Sequence, residues 1–150
     1  MVDITRSLGL DVGDVRIGVA LGDPLGILAS PLAIVTRRDG EEYAALSKII
    51  ADNDVARIVV GLPLAMDGGE GSQAVKTRVF VEELERRTGV PIIFQDERLT
   101  TVEAQRMVRE ARKTARTERY DAAAAALILQ DYLNTANPPI FPDEDPESSP

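Results

Sequence analysis

Three short apolar segments stand in a row before the first helical pattern of this chain, and that order restricts its fold more than any other feature. Residues 6 to 12, "RIGVALGD" from 16 to 23 and "ASPLAIVTR" from 29 to 37 each read as strands. Only "GDV" separates the first two, which predicts a hairpin, and the three together predict an antiparallel meander. Pro31 falls near the start of the third strand, where a missing donor is tolerated at a sheet edge. The pattern then switches. "EEYAALSKIIADND" puts Tyr43, Leu46, Ile49 and Ile50 on one helical stripe, and "ARIVVGLPL" is a continuous apolar run suited to a strand covered on both faces. Ser72 is placed to cap a helix over 73–88, with Thr77, Phe80, Val81 and Leu84 inward and Gly89 as its stop. "VPIIFQDE" predicts a fifth strand. Thr100 and Glu103 form a capping box for a helix that turns Ala104, Met107, Val108 and Ala111 inward. "RYDAAAAALILQDYLN" predicts a last helix whose alanines allow close packing on a sheet. The order β-β-β-α-β-α-β-α-α predicts an α/β fold, a mixed five-stranded sheet with helices on its faces. The expected ordered domain is 1–137. Residues 138–150, rich in proline and acid, are expected to form a disordered tail.

Composition narrows the chemistry. The chain has no cysteine and no histidine, which removes thiol chemistry, zinc–thiolate sites and the commonest general base. Catalysis would have to rest on carboxylates, lysine, tyrosine, hydroxyls or a bound ion, and carboxylates suit hard cations such as Mg2+ or Mn2+. Neither a signal peptide nor a membrane-length apolar run is present, so a soluble, cytoplasmic protein is expected. The net charge of −8 argues against nucleic acid at first sight, but the charge is segregated. Residues 98–119 hold seven bases and three acids, a local balance of +4, while the tail carries four acids and no base. Arg109, Arg112, Lys113, Arg116 and Arg119 could form a loop that binds a phosphate backbone or simply a solvated face.

Three carboxylates stand out. Asp11 lies inside an apolar strand, and Gly9 and Gly13 would share its face and leave space around it. A buried carboxylate needs a partner. Arg16 could supply one as a structural salt bridge, and a cation is the other option. Asp96 and Glu97 end the fifth strand, where only one of two adjacent residues can face Asp11. Asp121 starts the last helix, where an acid can also serve as a cap. Asp131 is expected on a solvated helix face. Acids on a strand, a neighbouring strand end and a helix start could together hold divalent ions for phosphodiester hydrolysis. The loop "VVGLPLAMDGGEGS" could receive a phosphate at the following helix, but it lacks the P-loop arrangement, and a plain turn over 67–71 is the simpler reading.

Four blocks, "LGLDVGDVRIGVALGD", "VVGLPLAMDGGEGSQA", "DERLTTVEA" and "RYDAAAAALILQDYL", resemble in order and spacing those of the YqgF family, whose members are named as pre-16S rRNA nucleases and Holliday-junction-resolvase-like proteins. The resemblance spans about residues 6–134. It implies an RNase H-like fold and a divalent-metal nuclease with acids at Asp11, Glu97 and Asp121, and it favours Glu97 over Asp96. Arg16, Arg98 and Thr100 or Thr101 are implied as site-lining residues, while Arg112, Lys113 and Arg116 are candidate backbone contacts on the charge of their segment alone. The implied partner is precursor rRNA or branched DNA. Junction cleavage requires two symmetric sites and hence a dimer, whereas a monomer or weak homodimer suffices for rRNA trimming. "DVGDVRIG" also resembles the first phosphate loop of the actin and sugar-kinase superfamily, which would make the chain a nucleotide-binding module. Those proteins need two such domains, too many for 150 residues. A binding protein that contacts rRNA or the transcription machinery without cutting is the third reading.

Overall fold

The computed structural model describes residues 6–63, 69–96 and 118–136, with side chains in the last segment from Ala122 onward. The three early segments form β1 (Arg6–Val12), β2 (Arg16–Gly22) and β3 (Ala29–Thr36). There follow α1 (Glu41–Asp52), β4 (Val55–Leu62), α2 (Ser72–Thr88), β5 (Ile92–Asp96) and α3 (Glu118–Ala136). The strands make one sheet in the order β3-β2-β1-β4-β5. The hairpin pairs β1–β2 and β2–β3 are antiparallel, whereas β1–β4 and β4–β5 are parallel because helices connect them. The meander and the mixed sheet are therefore as the chain order predicts. β3 is an edge strand, and Pro31 sits beside a register shift in its pairing with β2, both positions where a missing N–H costs little.

Two apolar layers sandwich the sheet. On one side Leu8, Leu10, Val12, Ile17, Val19, Ile58 and Val60 pack against Leu46 and Ile50 of α1 and Phe80, Val81 and Leu84 of α2. On the other, Ala20 and Val59 meet Ala125, Ile128, Leu129 and Leu133 of α3. The stripe expected for α2 is the one buried, and Gly89 ends the helix with a left-handed φ of 70°. The helix start differs from expectation. Ser72 is the first helical residue and Gly71 occupies the capping position, with no side-chain cap. No helix among the described residues is long and apolar enough to cross a membrane.

Candidate active site

Strand alternation and the two apolar layers fix which way each residue of β1 faces. Leu8, Leu10 and Val12 belong to the α1/α2 layer, so Gly9 and Asp11 face α3. Asp11 lies one residue from the C-terminal end of β1, at 8% exposure. It pairs across the hairpin with Gly18, which shares its face. Leu10 is opposite Val60 on β4, so one further step sets Gly61 beside Asp11 on the other flank. Two neighbouring strands thus place no side chain next to this carboxylate. Arg16 falls on the same face as Gly18, two residues away along β2.

Gly9 and Gly13, the glycines on either side of Asp11 in the chain, have other duties than the expected one. A Cβ at Gly9 would stand 2.7 Å from Leu129 Cβ and 3.0 Å from the Ala125 carbonyl, so Gly9 admits α3. A Cβ at Gly13 would stand 2.7 Å from the Arg16 carbonyl, so Gly13 permits the tight hairpin. The glycines that flank Asp11 on its own face are Gly18 and Gly61, across the sheet. They could not be found by reading along β1, because their placement depends on pairing register.

The same alternation orders the end of β5. Phe94 packs into the α1/α2 layer, Gln95 turns toward α3 and donates from Nε2 to Asp131 Oδ2 at 2.5 Å, and Asp96 returns to the α1/α2 side. Asp96 therefore faces away from Asp11. Glu97 lies outside the described residues. Asp131 is not on a solvated face: it is 9% exposed and ties α3 to β5. Asp131→Ala would strip Gln95 of this acceptor, and a loss of about 1–3 kcal/mol is expected in denaturant titrations.

The direction of α3 follows from its contacts. Leu133 comes near Gly22, which lies beside Ser7, while Ala125 and Leu129 cover Gly9. The helix thus runs antiparallel to β1. One turn of helix rises about 5.4 Å and two strand residues about 6.6 Å, so helix position 121, four residues before Ala125, reaches the level of Asp11. Position 121 is the fourth residue of the helix and not its cap. The side chain of Asp121 falls outside the description, as do Arg98, Thr100, Thr101, Arg112, Lys113 and Arg116. Among the described residues no three acidic side chains gather as a ligand set. The one described side chain of the three candidate acids, Asp11, fits a hard cation: a buried strand-end carboxylate with glycines on both neighbouring strands, in a chain without histidine or cysteine.

One pair went unanticipated. Arg37 Nε donates to Glu42 Oε2 at 3.2 Å, and Arg37 Nη1 donates to the Gly13 carbonyl at 3.0 Å, two residues past Asp11. Glu42 is 5% exposed. Burial pushes its carboxyl up, but hydrogen bonds from its own backbone, the Arg37 guanidinium and the Arg38 amide outweigh burial and hold it below its ordinary range. The signal was legible in spacing, since Glu42 stands one turn before Leu46 and two before Ile50 on the buried stripe. Arg37 also lines a cleft of about 570 Å3 with Asp14, Tyr43, Lys76 and Phe80, on the side of the sheet away from Asp11.

Comparison with known proteins places this arrangement. The model of the RuvX family, described as Holliday junction resolvase, matches residues 5–135. The chain belongs to the RuvX/YqgF family. A relative from Dehalococcoides mccartyi, named "Putative pre-16S rRNA nuclease", is 45% identical over 131 residues, covering 87% of this chain and 98% of its own. Another of the same name from an Anaeromyxobacter species is 48% identical over 132 residues, covering 86% of this chain and 96% of its own. Among solved structures, Thermus thermophilus RuvC in complex with Holliday junction substrate matches with a TM-score of 0.56 at 15% identity, over 88% of this chain and 95% of that one. That likeness identifies the fold of this RuvX/YqgF chain as the RNase H-like one.

Proposed function

We propose that this chain is a divalent-metal-dependent endonuclease that hydrolyses phosphodiester bonds in the 5′-end maturation of pre-16S rRNA, with Asp11, Glu97 and Asp121 as its metal-holding acids. The observation that carries the reading is the placement of Asp11. It is a buried carboxylate near the C-terminal end of a central strand, with Gly18 and Gly61 as its neighbours on the two flanking strands. The C-terminal edge of the parallel strands is where α/β sheets hold their ligands. Asp96 faces the α1/α2 layer, as Phe94 does, and this supports its neighbour in sequence, Glu97, as the acid of the pair that belongs to the site. Mg2+ or Mn2+ held there would activate water and stabilise the leaving oxygen. Arg16, on the same face, suits a phosphate oxygen, and Arg98, Thr100 and Thr101 follow directly on Glu97. Arg112, Lys113 and Arg116 would hold the backbone farther along. The pre-16S assignment draws on the names of relatives that match almost their full length. A single active domain meets its needs, so the chain would act as a monomer or weak homodimer in the cytoplasm.

The description of the matching family favours a second reading, cleavage of four-way DNA junctions by a dimer. Precursor rRNA and a four-way junction offered side by side with Mn2+ separate the two. Trimming of the RNA at one end supports the first, paired nicks in the junction by a chain of dimeric mass support the second, and no cleavage of either refutes both and returns the chain to a binding role. The same assay reads the strand-end pair. Glu97→Gln is expected to lower kcat on the order of 10²-fold or more, whereas Asp96→Asn keeps most of the activity. The reverse ranking would exchange the two assignments.

A further inference from the structure

We propose that Arg37 is a positioning residue for this site, holding from the opposite side of the sheet the turn that carries Asp11 and Arg16. The inference rests on the reading of Asp11 as a metal-holding carboxylate. The turn after β1 is tight: the Gly13 N–H donates to the Arg16 carbonyl at 2.9 Å, and that carbonyl leaves no room for a side chain at Gly13. Arg37 grips this turn twice. Its backbone N–H donates to the Val15 carbonyl at 2.8 Å, and its Nη1 donates to the Gly13 carbonyl at 3.0 Å.

The guanidinium is itself held. Nε binds Glu42 Oε2, and Glu42 Oε1 accepts the Arg38 N–H at 3.2 Å, which secures the carboxylate at the start of α1. The guanidinium carbon lies 4.9 Å over the ring of Phe80, a buried residue of α2 stacked on Tyr43 at 5.1 Å. One side chain thus refers the end of β1 to both helices of the far layer. The side chains of Arg37 and Glu42 are only 27% and 6% exposed, so solvent screens the pair less than a surface pair. A planar fork is needed to reach Glu42 and Gly13 together, and a lysine ammonium cannot keep both contacts in this geometry. Metal sites depend on such supports, since supporting groups behind a ligand alter affinity or activity about 10- to 100-fold.

The test compares the full-length chain with Arg37→Lys, Arg37→Met and Glu42→Gln by three measurements: exchange of the Gly13 amide proton by NMR, Mn2+ affinity by calorimetry, and kcat and KM for cleavage. Arg37→Lys is expected to stay folded, to speed exchange at Gly13, to weaken Mn2+ binding about 10-fold and to lower kcat more than it raises KM. Glu42→Gln is expected to move all three in the same direction by less, which keeps the question decidable if Arg37→Met does not fold. A merely structural Arg37 would lower Tm while leaving Gly13 exchange and Mn2+ affinity at wild-type values, and that result overturns the proposal. A wild-type chain that binds Mn2+ but cuts nothing removes the nuclease reading alone, since exchange and affinity still judge Arg37. A wild-type chain that binds no Mn2+ overturns both.

Discussion

Asp11→Asn is expected to abolish metal-dependent cleavage, with kcat falling on the order of 10³-fold, while the fold persists. That loss corresponds to about 4 kcal/mol of transition-state stabilisation. The substitution keeps the shape of the side chain and removes the charge that a hard cation requires. Stability should change little, because a neutral amide at a position 8% exposed is less costly to bury than a carboxylate. Circular dichroism should therefore return a native spectrum and a Tm within a few degrees of wild type. A second readout is independent of turnover. Mn2+ at 100 times its dissociation constant stabilises a folded chain by about 2.7 kcal/mol, so the wild type should melt higher with Mn2+ than without it, and Asp11→Asn should lose most of that rise. A variant that still cuts at the wild-type rate removes Asp11 from the site.

Gly9→Ala is expected to carry the second large effect, on stability and through it on activity. The added methyl would stand 2.7 Å from Leu129 Cβ and 3.0 Å from the Ala125 carbonyl. Neither is the far end of a flexible side chain, so α3 as a whole must shift. Overpacking of this kind costs about 1–3 kcal/mol, roughly 3–10 °C in Tm for a chain of this size. Leu129→Ala should not rescue it, because the obstructing atom is the Cβ that alanine retains. Cleavage should fall further than lost stability explains, since an outward shift of α3 carries position 121 away from Asp11, and misplacement by about 1 Å can cost 10²-fold. A melting curve unchanged from wild type would show that α3 accommodates the methyl.

Much of this was legible from the residues. The meander, the βα units, the edge position of Pro31 and the stripe of α2 follow from local periodicity and turn chemistry, and the structure bears them out. What was misread depends on partners distant in the chain. Gly9 looked like space for an ion because its neighbour along the strand is Asp11, yet the atom that claims the space belongs to Leu129. Asp131 looked solvated because its helix has an apolar stripe elsewhere, yet Gln95 of β5 meets it from the far side. Ser72 looked like a cap because serine suits that role, but the helix begins one residue early, at Ser72 itself. Glu42 shares the buried stripe of Leu46 and Ile50, and the Arg37 that pairs with it there lies before the helix, in a register that periodicity does not show. Asp96 faces the α1/α2 layer because Phe94 does, a facing that local sequence left open.

The last helix of the chain packs on its first strands, with Ala125 and Leu129 on Gly9 and Leu133 beside Gly22. During synthesis the N-terminal meander emerges well before the helix that covers it, so the Gly9 face of the sheet stays bare until the chain through Leu133 has been made, and closing the α3 layer is a late, non-local step of folding.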